Sequence, residues 1–190
     1  MAAPLRRDAT DVSLAWTVNI WKPFLYRACI AAVFGVITVF LQEPSARAAA
    51  LLGGLYLISA GAGLGWTARV IPLPGFPGSL VGVAAAALVL GGVFSLATPV
   101  EAGLAWVGGS ALVLAGLYEV GQGLRLRGTH AAGRDVMLAG LLAAGTGVGL
   151  ILVGNLGAHA LLGVAGGGAL MTAVLLGLAG LGYRHDARAR

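Results

Sequence analysis

The sequence predicts an all-α fold: a polytopic bundle of six transmembrane helices, arranged as three hairpins that resemble one another. The first reason is composition, because 58% of the 190 residues are hydrophobic and only 10% are charged, whereas soluble domains carry about 25% charged residues. The second reason is the regular spacing of residues that mark turns. Pro44, Pro99 and Asn155 each lie between two apolar runs of membrane length, at intervals of about 55 residues,.

The elements follow in chain order. Residues 1–22 are predicted to form a cytoplasmic N-terminal segment, with an interfacial helix over about residues 12–21 because Trp16 and Trp21 favour the headgroup region,. The transmembrane domain covers residues 23–183, with its hairpins at 23–68, 79–124 and 135–183. Residues 184–190 form a basic tail.

Each span is expected to use about 20 apolar residues. The loop between the second and third spans carries Pro72, Pro74 and Pro77, so it cannot be helical throughout,. The predicted spans are 24–41, 46–67, 79–97, 101–124, 136–153 and 158–183.

The basic residues predict the orientation. Of the 12 Lys and Arg residues, only Arg47 falls on the side of the tight turns. Since the positive side of a membrane protein is cytoplasmic, both termini are expected in the cytoplasm. Topology therefore accounts for the net charge of +5, and we expect no nucleic-acid partner. The expected partner is the lipid bilayer.

Glycine and proline positions carry a resemblance to a known family. In the second hairpin, Gly109 and Gly116 follow Pro99 at the same distances at which Gly54 and Gly61 follow Pro44. In the third hairpin, Ala165 and Thr172 replace these glycines. The first hairpin holds the fullest pattern, which consists of Trp21, Arg27, Gly35, Pro44, Ser45, Gly54, Tyr56 and Gly61.

This pattern resembles that of the HdeD-like family of acid-resistance membrane proteins. The resemblance implies a small bacterial protein of the inner membrane, with repeated two-helix units and a link to acid or stress tolerance. It supplies no catalytic residues and implies no cofactor.

Glu119 is the sharpest candidate for intramembrane chemistry. An ionised carboxylate in hydrocarbon costs at least about 2.5 kcal/mol, so its side chain must pair, become protonated or reach water. Gln122 lies one turn away on the same helix face as Gly116, and Tyr118 is adjacent. The open alternatives are an ion pair with Arg125, Arg69 or Arg27, snorkelling to water, and a role in proton relay or substrate binding.

Other polar residues are weaker candidates. Arg27 either snorkels, binds an anionic headgroup or pairs with Glu119. His130, His159 and His185 are scattered, so no metal site is expected, although each is a candidate pH sensor. Anionic lipid headgroups have three candidate contacts in the basic loop, namely Arg125, Arg127 and Arg134,.

The expected function is non-enzymatic, because the sequence holds no nucleotide-binding or hydrolase motif and no pair of intramembrane carboxylates,. Pairs of glycines four residues apart suit helix association, which predicts a homo-oligomer or a larger membrane complex. Such pairs also suit packing within one chain, and the sequence leaves that choice open. The alternative function is a small-solute or proton channel or transporter that uses Glu119. The glycine pairs are Gly61/Gly65, Gly78/Gly82, Gly145/Gly149 and Gly163/Gly167.

Overall fold

The computed structural model describes residues 19–71, 78–128 and 130–189, and these segments form helices and short connections without a strand. Six helices are each long and apolar enough to cross a membrane, as in a multi-pass membrane protein, which confirms the predicted fold class. Their bounds are α1 Trp21–Phe40, α2 Ala46–Val70, α3 Gly78–Ala97, α4 Gly103–Leu126, α5 Ala132–Leu152 and α6 Ala158–Arg188.

Several helices extend beyond the predicted spans. Helix α1 begins at Trp21, α5 begins at Ala132, and α6 continues to Arg188 through most of the predicted basic tail. An apolar run predicts the membrane-crossing part of a helix, but it does not predict the polar turns at the helix ends. His185 and Arg188 lie in the last turn of α6, where cations favour the negative end of the helix dipole.

Two sequence predictions fall largely outside the described residues. Residues 1–18 include Trp16 and most of the predicted interfacial helix, while residues 72–77 include the three loop prolines. The orientation of the termini and the internal repeat remain predictions.

The helix connections hold the residues that marked the turns. Pro44 lies in the connection from α1 to α2, and Ser45 caps α2 by accepting a hydrogen bond from the Ala48 backbone N–H at 3.1 Å,. Pro99 lies between α3 and α4, and Asn155 lies between α5 and α6. The first six residues of α4, Gly103–Gly108, are π-helical.

The six helices form a closed ring. Each helix packs against its neighbours in the chain, and α6 packs back against α1. Inside the ring lies a core of buried leucines and alanines. A second cluster closes the end where α1 begins and α6 ends. The outward faces carry exposed apolar side chains that fit contact with a lipid bilayer, including Val33, Val83, Leu90, Leu152 and Leu178.

Helices α4 and α5 approach each other closely through glycines. Gly109 and Gly116 of α4 lie against Gly147 and Gly140 of α5, respectively. A Cβ added to Gly116 would lie 2.5 Å from the Gly140 carbonyl oxygen. Small residues allow such backbone approach between membrane helices, so these glycines set the separation of α4 and α5.

Helices α2 and α3 meet in the same way. A Cβ on Gly54 would lie 2.8 Å from the Gly92 carbonyl oxygen, and one on Gly61 would lie 2.8 Å from that of Ala85. Gly54 and Gly61 therefore contact the next predicted hairpin, not the other helix of their own hairpin. By contrast, aromatic side chains fill much of the α1–α2 seam, where Phe34 stacks on Tyr56 with ring centroids 4.4 Å apart.

Candidate functional site

An ion pair between α1 and α4 lies at the centre of the candidate site. Arg27 donates from Nη1 to Glu119 Oε1 at 2.5 Å and from Nη2 to Glu119 Oε2 at 3.0 Å. The side chains are only 11% and 2% exposed, respectively. The two-pronged geometry matches the planar guanidinium to the carboxylate, so each charge is neutralised where water is scarce.

Two glycines make room for these charged side chains. A Cβ on Gly63 of α2 would lie 2.6 Å from Arg27 Cγ, and one on Gly140 of α5 would lie 2.8 Å from Glu119 Cβ. Larger residues at either position would collide with the pair. The sequence did not single out Gly63 or Gly140 for this purpose, because only the packed helices bring them to the site.

Of the alternatives that the sequence left open, the structure selects the pairing of Glu119 with Arg27. The guanidinium turns inward instead of reaching along the helix to the headgroups. Leaving either buried charge alone would be costly, since desolvation of an ion in a protein amounts to several kcal/mol.

A cavity of about 30 Å³ adjoins the ion pair, and all six helices contribute to its lining. Such a volume suits about one water molecule. Its polar lining includes Thr146 and Thr172, whose hydroxyls donate to the carbonyls of Leu142 and Gly168 in their own helices. The cavity therefore has no room for a solute.

Gln122 is the least satisfied polar residue near the site. It is only 1% exposed, and neither its amide oxygen nor its amide nitrogen has a hydrogen-bond partner in the part of the chain that the structure describes. It lies one turn from Glu119 on α4. Tyr118, the remaining predicted site residue, is half-buried and packs against the main core cluster.

The predicted headgroup contacts lie at the α4–α5 connection. Arg125, Arg127 and Arg134 are all exposed there, and their contact with lipid headgroups stays a prediction. His130 lies between them and accepts a hydrogen bond at Nδ1 from the Ala132 backbone N–H at 3.0 Å. Burial lowers the pKa of His130, which favours its neutral form at neutral pH.

The other two histidines are exposed. His159 lies near the start of α6, and His185 lies in its last turn, 3.7 Å from Asp186. Among the described residues, no group of three His, Cys, Asp or Glu side chains is placed to hold a metal ion.

Two polar contacts between distant segments were not predicted from the sequence. Glu101 Oε1 accepts a hydrogen bond from the backbone N–H of Ala158 at 2.9 Å, which satisfies the start of α6,. At the opposite end, the Tyr183 hydroxyl donates to Asp135 Oδ2 at 2.5 Å and joins α6 to α5. Both acids lie near helix starts, but nothing in the sequence indicates these partners.

No protein-family model matches the chain, and no similar protein was found among the curated proteins or the solved structures. The HdeD-like resemblance therefore remains an expectation from the sequence motifs.

Proposed function

We propose that this chain is a non-enzymatic protein of the bacterial inner membrane, which acts by associating laterally with itself or with a larger membrane complex. In line with the HdeD-like resemblance, the association would support acid or stress tolerance. The observation that carries the proposal is the small free volume between the described helices: Arg27 and Glu119 neutralise each other beside a cavity of about 30 Å³. Because this cavity suits about one water molecule, the proposal turns to the membrane-facing surface of the described helices.

Among the predicted glycine pairs, Gly163/Gly167 is open at both positions on that surface. Gly61 is used inside the bundle against α3, and Gly149 packs against Val164. A Cβ on Gly163 or Gly167 of α6, by contrast, would meet no described atom within 4 Å. These two glycines line a groove of about 280 Å³ beside α1, and small residues at this spacing suit a helix of a second copy.

We expect leucine at both Gly163 and Gly167 to weaken self-association by roughly tenfold, which corresponds to about 1.4 kcal/mol. The monomer should keep its fold, because the new side chains enter open space. Light scattering after size-exclusion chromatography in mild detergent measures the effect. Gly182→Leu is the matched control, since its Cβ on the same helix also meets no described atom within 4 Å.

The same variants test the physiological role. Bacteria that express the wild type or Gly182→Leu should survive acid shock better than cells that lack the protein, whereas the double variant should lose this advantage. A wild type that is strictly monomeric in detergent, and that cross-links to nothing in cells, would refute the proposed association.

A second candidate function is a small-solute or proton pathway through Glu119. Its support is the buried Gln122 with two unpartnered amide atoms, one turn from a carboxylate at membrane depth. Intramembrane ionisable residues often mark such pathways.

Proteoliposome flux separates the two functions. Because the cavity beside the ion pair is only about 30 Å³, we expect wild type and Glu119→Gln to pass protons no faster than empty liposomes. A wild-type flux that disappears in a folded Glu119→Gln variant would favour the pathway and would give Glu119 its working role.

A further inference from the structure

A groove opens on the membrane-facing surface between α1 and α2. Its volume is about 360 Å³, and its walls include Val33 and Ile37 of α1 together with Leu52 and Leu55 of α2. Val33 and Leu55 are 60% and 50% exposed, so the walls continue into the apolar surface that faces lipid.

The groove lies along the middle and second half of α1, a helix long and apolar enough to cross a membrane. Its lining on α1 begins at Cys29, roughly 12 Å along the helix from Trp21 at 1.5 Å per residue. It ends at Ile37, shortly before α1 itself ends at Phe40. Bilayer hydrocarbon is therefore the medium that meets this groove.

Stacked aromatic rings close the groove on its inner side. Phe34 and Tyr56 both line it, with their planes only 10° apart. Tyr56 also lines the central cavity beside Arg27 and Glu119. The stack thus separates an apolar surface site from the buried charges, and it gives the site a flat apolar floor.

The lining suits a thin chain better than another helix. Helices within this protein approach most closely through glycine backbones, as at Gly116 and Gly140, but none of the described residues that line the groove is a glycine. A helix with its side chains is about 10 Å wide and would meet the branched walls at Val33 and Ile37. A single hydrocarbon chain can follow the space between them.

We propose that the α1–α2 groove binds one acyl chain of a membrane phospholipid. The chain lies against the Phe34–Tyr56 stack. Each methylene that moves from the surrounding lipid into the groove gains dispersion contacts with the groove walls. Apart from Cys29 and Ser59, the lining is aliphatic or aromatic, so binding depends on the chain and not on the headgroup. This inference is independent of the association proposed for α6.

Photolabelling tests the site in vesicles. The probe is a phosphatidylcholine that carries a diazirine midway along one acyl chain, and labelled peptides are mapped by mass spectrometry. We expect the α1 and α2 peptides of the groove to be labelled at least about threefold more than the lipid-facing α3 peptide that holds Val83 and Leu90. Replacing half of the phosphatidylcholine by phosphatidylglycerol should leave this ratio unchanged.

A groove-filling variant gives the second arm. Leu55→Trp places a larger side chain across the opening from a half-exposed position, and it should bring groove labelling down to the α3 level. Leu90→Trp is the matched control at an exposed position of α3 and should leave groove labelling intact.

Two results would overturn the inference. Equal labelling of all exposed faces in the wild type would mean that the groove meets only general bilayer lipid. Disulfide cross-linking of two chains through Cys29, lost in Leu55→Trp, would mean that a second copy occupies the groove. The labelling pattern of the wild type alone tests whether all exposed faces are labelled equally, even if Leu55→Trp fails to fold.

Discussion

Gly116→Leu should separate α4 from α5 and lower the free energy of unfolding by about 3 kcal/mol or more, at the upper end of overpacking effects. A Cβ at this position would lie 2.5 Å from both the Ala144 backbone nitrogen and the Gly140 carbonyl oxygen. Real Cβ atoms essentially never approach other atoms within 3.0 Å. Because the obstacles are backbone atoms, no rotamer change relieves the clash, and the whole helix must move.

Unfolding of the purified protein in detergent, followed by circular dichroism, measures this effect. Gly121→Leu is the control on the same helix, since its Cβ would meet no described atom within 4 Å. That control should unfold at or above the wild-type temperature, because leucine favours a helix over glycine by up to about 1 kcal/mol. Equal unfolding of Gly116→Leu and the wild type would contradict the close α4–α5 contact.

The second large effect concerns the buried ion pair. Arg27→Met and Glu119→Leu should each destabilise the bundle by about 3–5 kcal/mol, because each leaves one buried charge without its partner. The double variant should recover most of this loss, since it replaces both charges by apolar side chains of similar size. Stability would then be lower in either single variant than in the double variant.

A double-mutant cycle in the same detergent assay measures the coupling between Arg27 and Glu119. A double variant that loses the sum of the two single losses would show that the residues act independently, contrary to the two hydrogen bonds between them. Single variants as stable as the wild type would mean that water reaches both charges.

The double variant also bears on function. If it folds and still supports acid survival, the ion pair is structural, as the proposed association requires. If it folds but activity disappears together with a measurable wild-type proton flux, the pair belongs to the pathway considered as the second candidate.

Membrane-length apolar runs determined the number of helices from the sequence, because hydrophobicity and length are properties of each segment alone. The same local reasoning placed Pro44, Pro99 and Asn155 in helix connections. It also predicted that Glu119 is paired, protonated or in reach of water, since an isolated ionised carboxylate is costly in hydrocarbon.

Tertiary structure decided which partners meet. From the sequence, Arg27, Arg69 and Arg125 were all available to Glu119 near one end of the bundle. The ring of helices brings Arg27 into hydrogen-bond contact with both carboxylate oxygens. Likewise, a glycine pattern shows where close approach is allowed, but not which helix approaches. Gly116 meets α5 while Gly163 stays open to the membrane, because these contacts depend on distances between residues far apart in the chain.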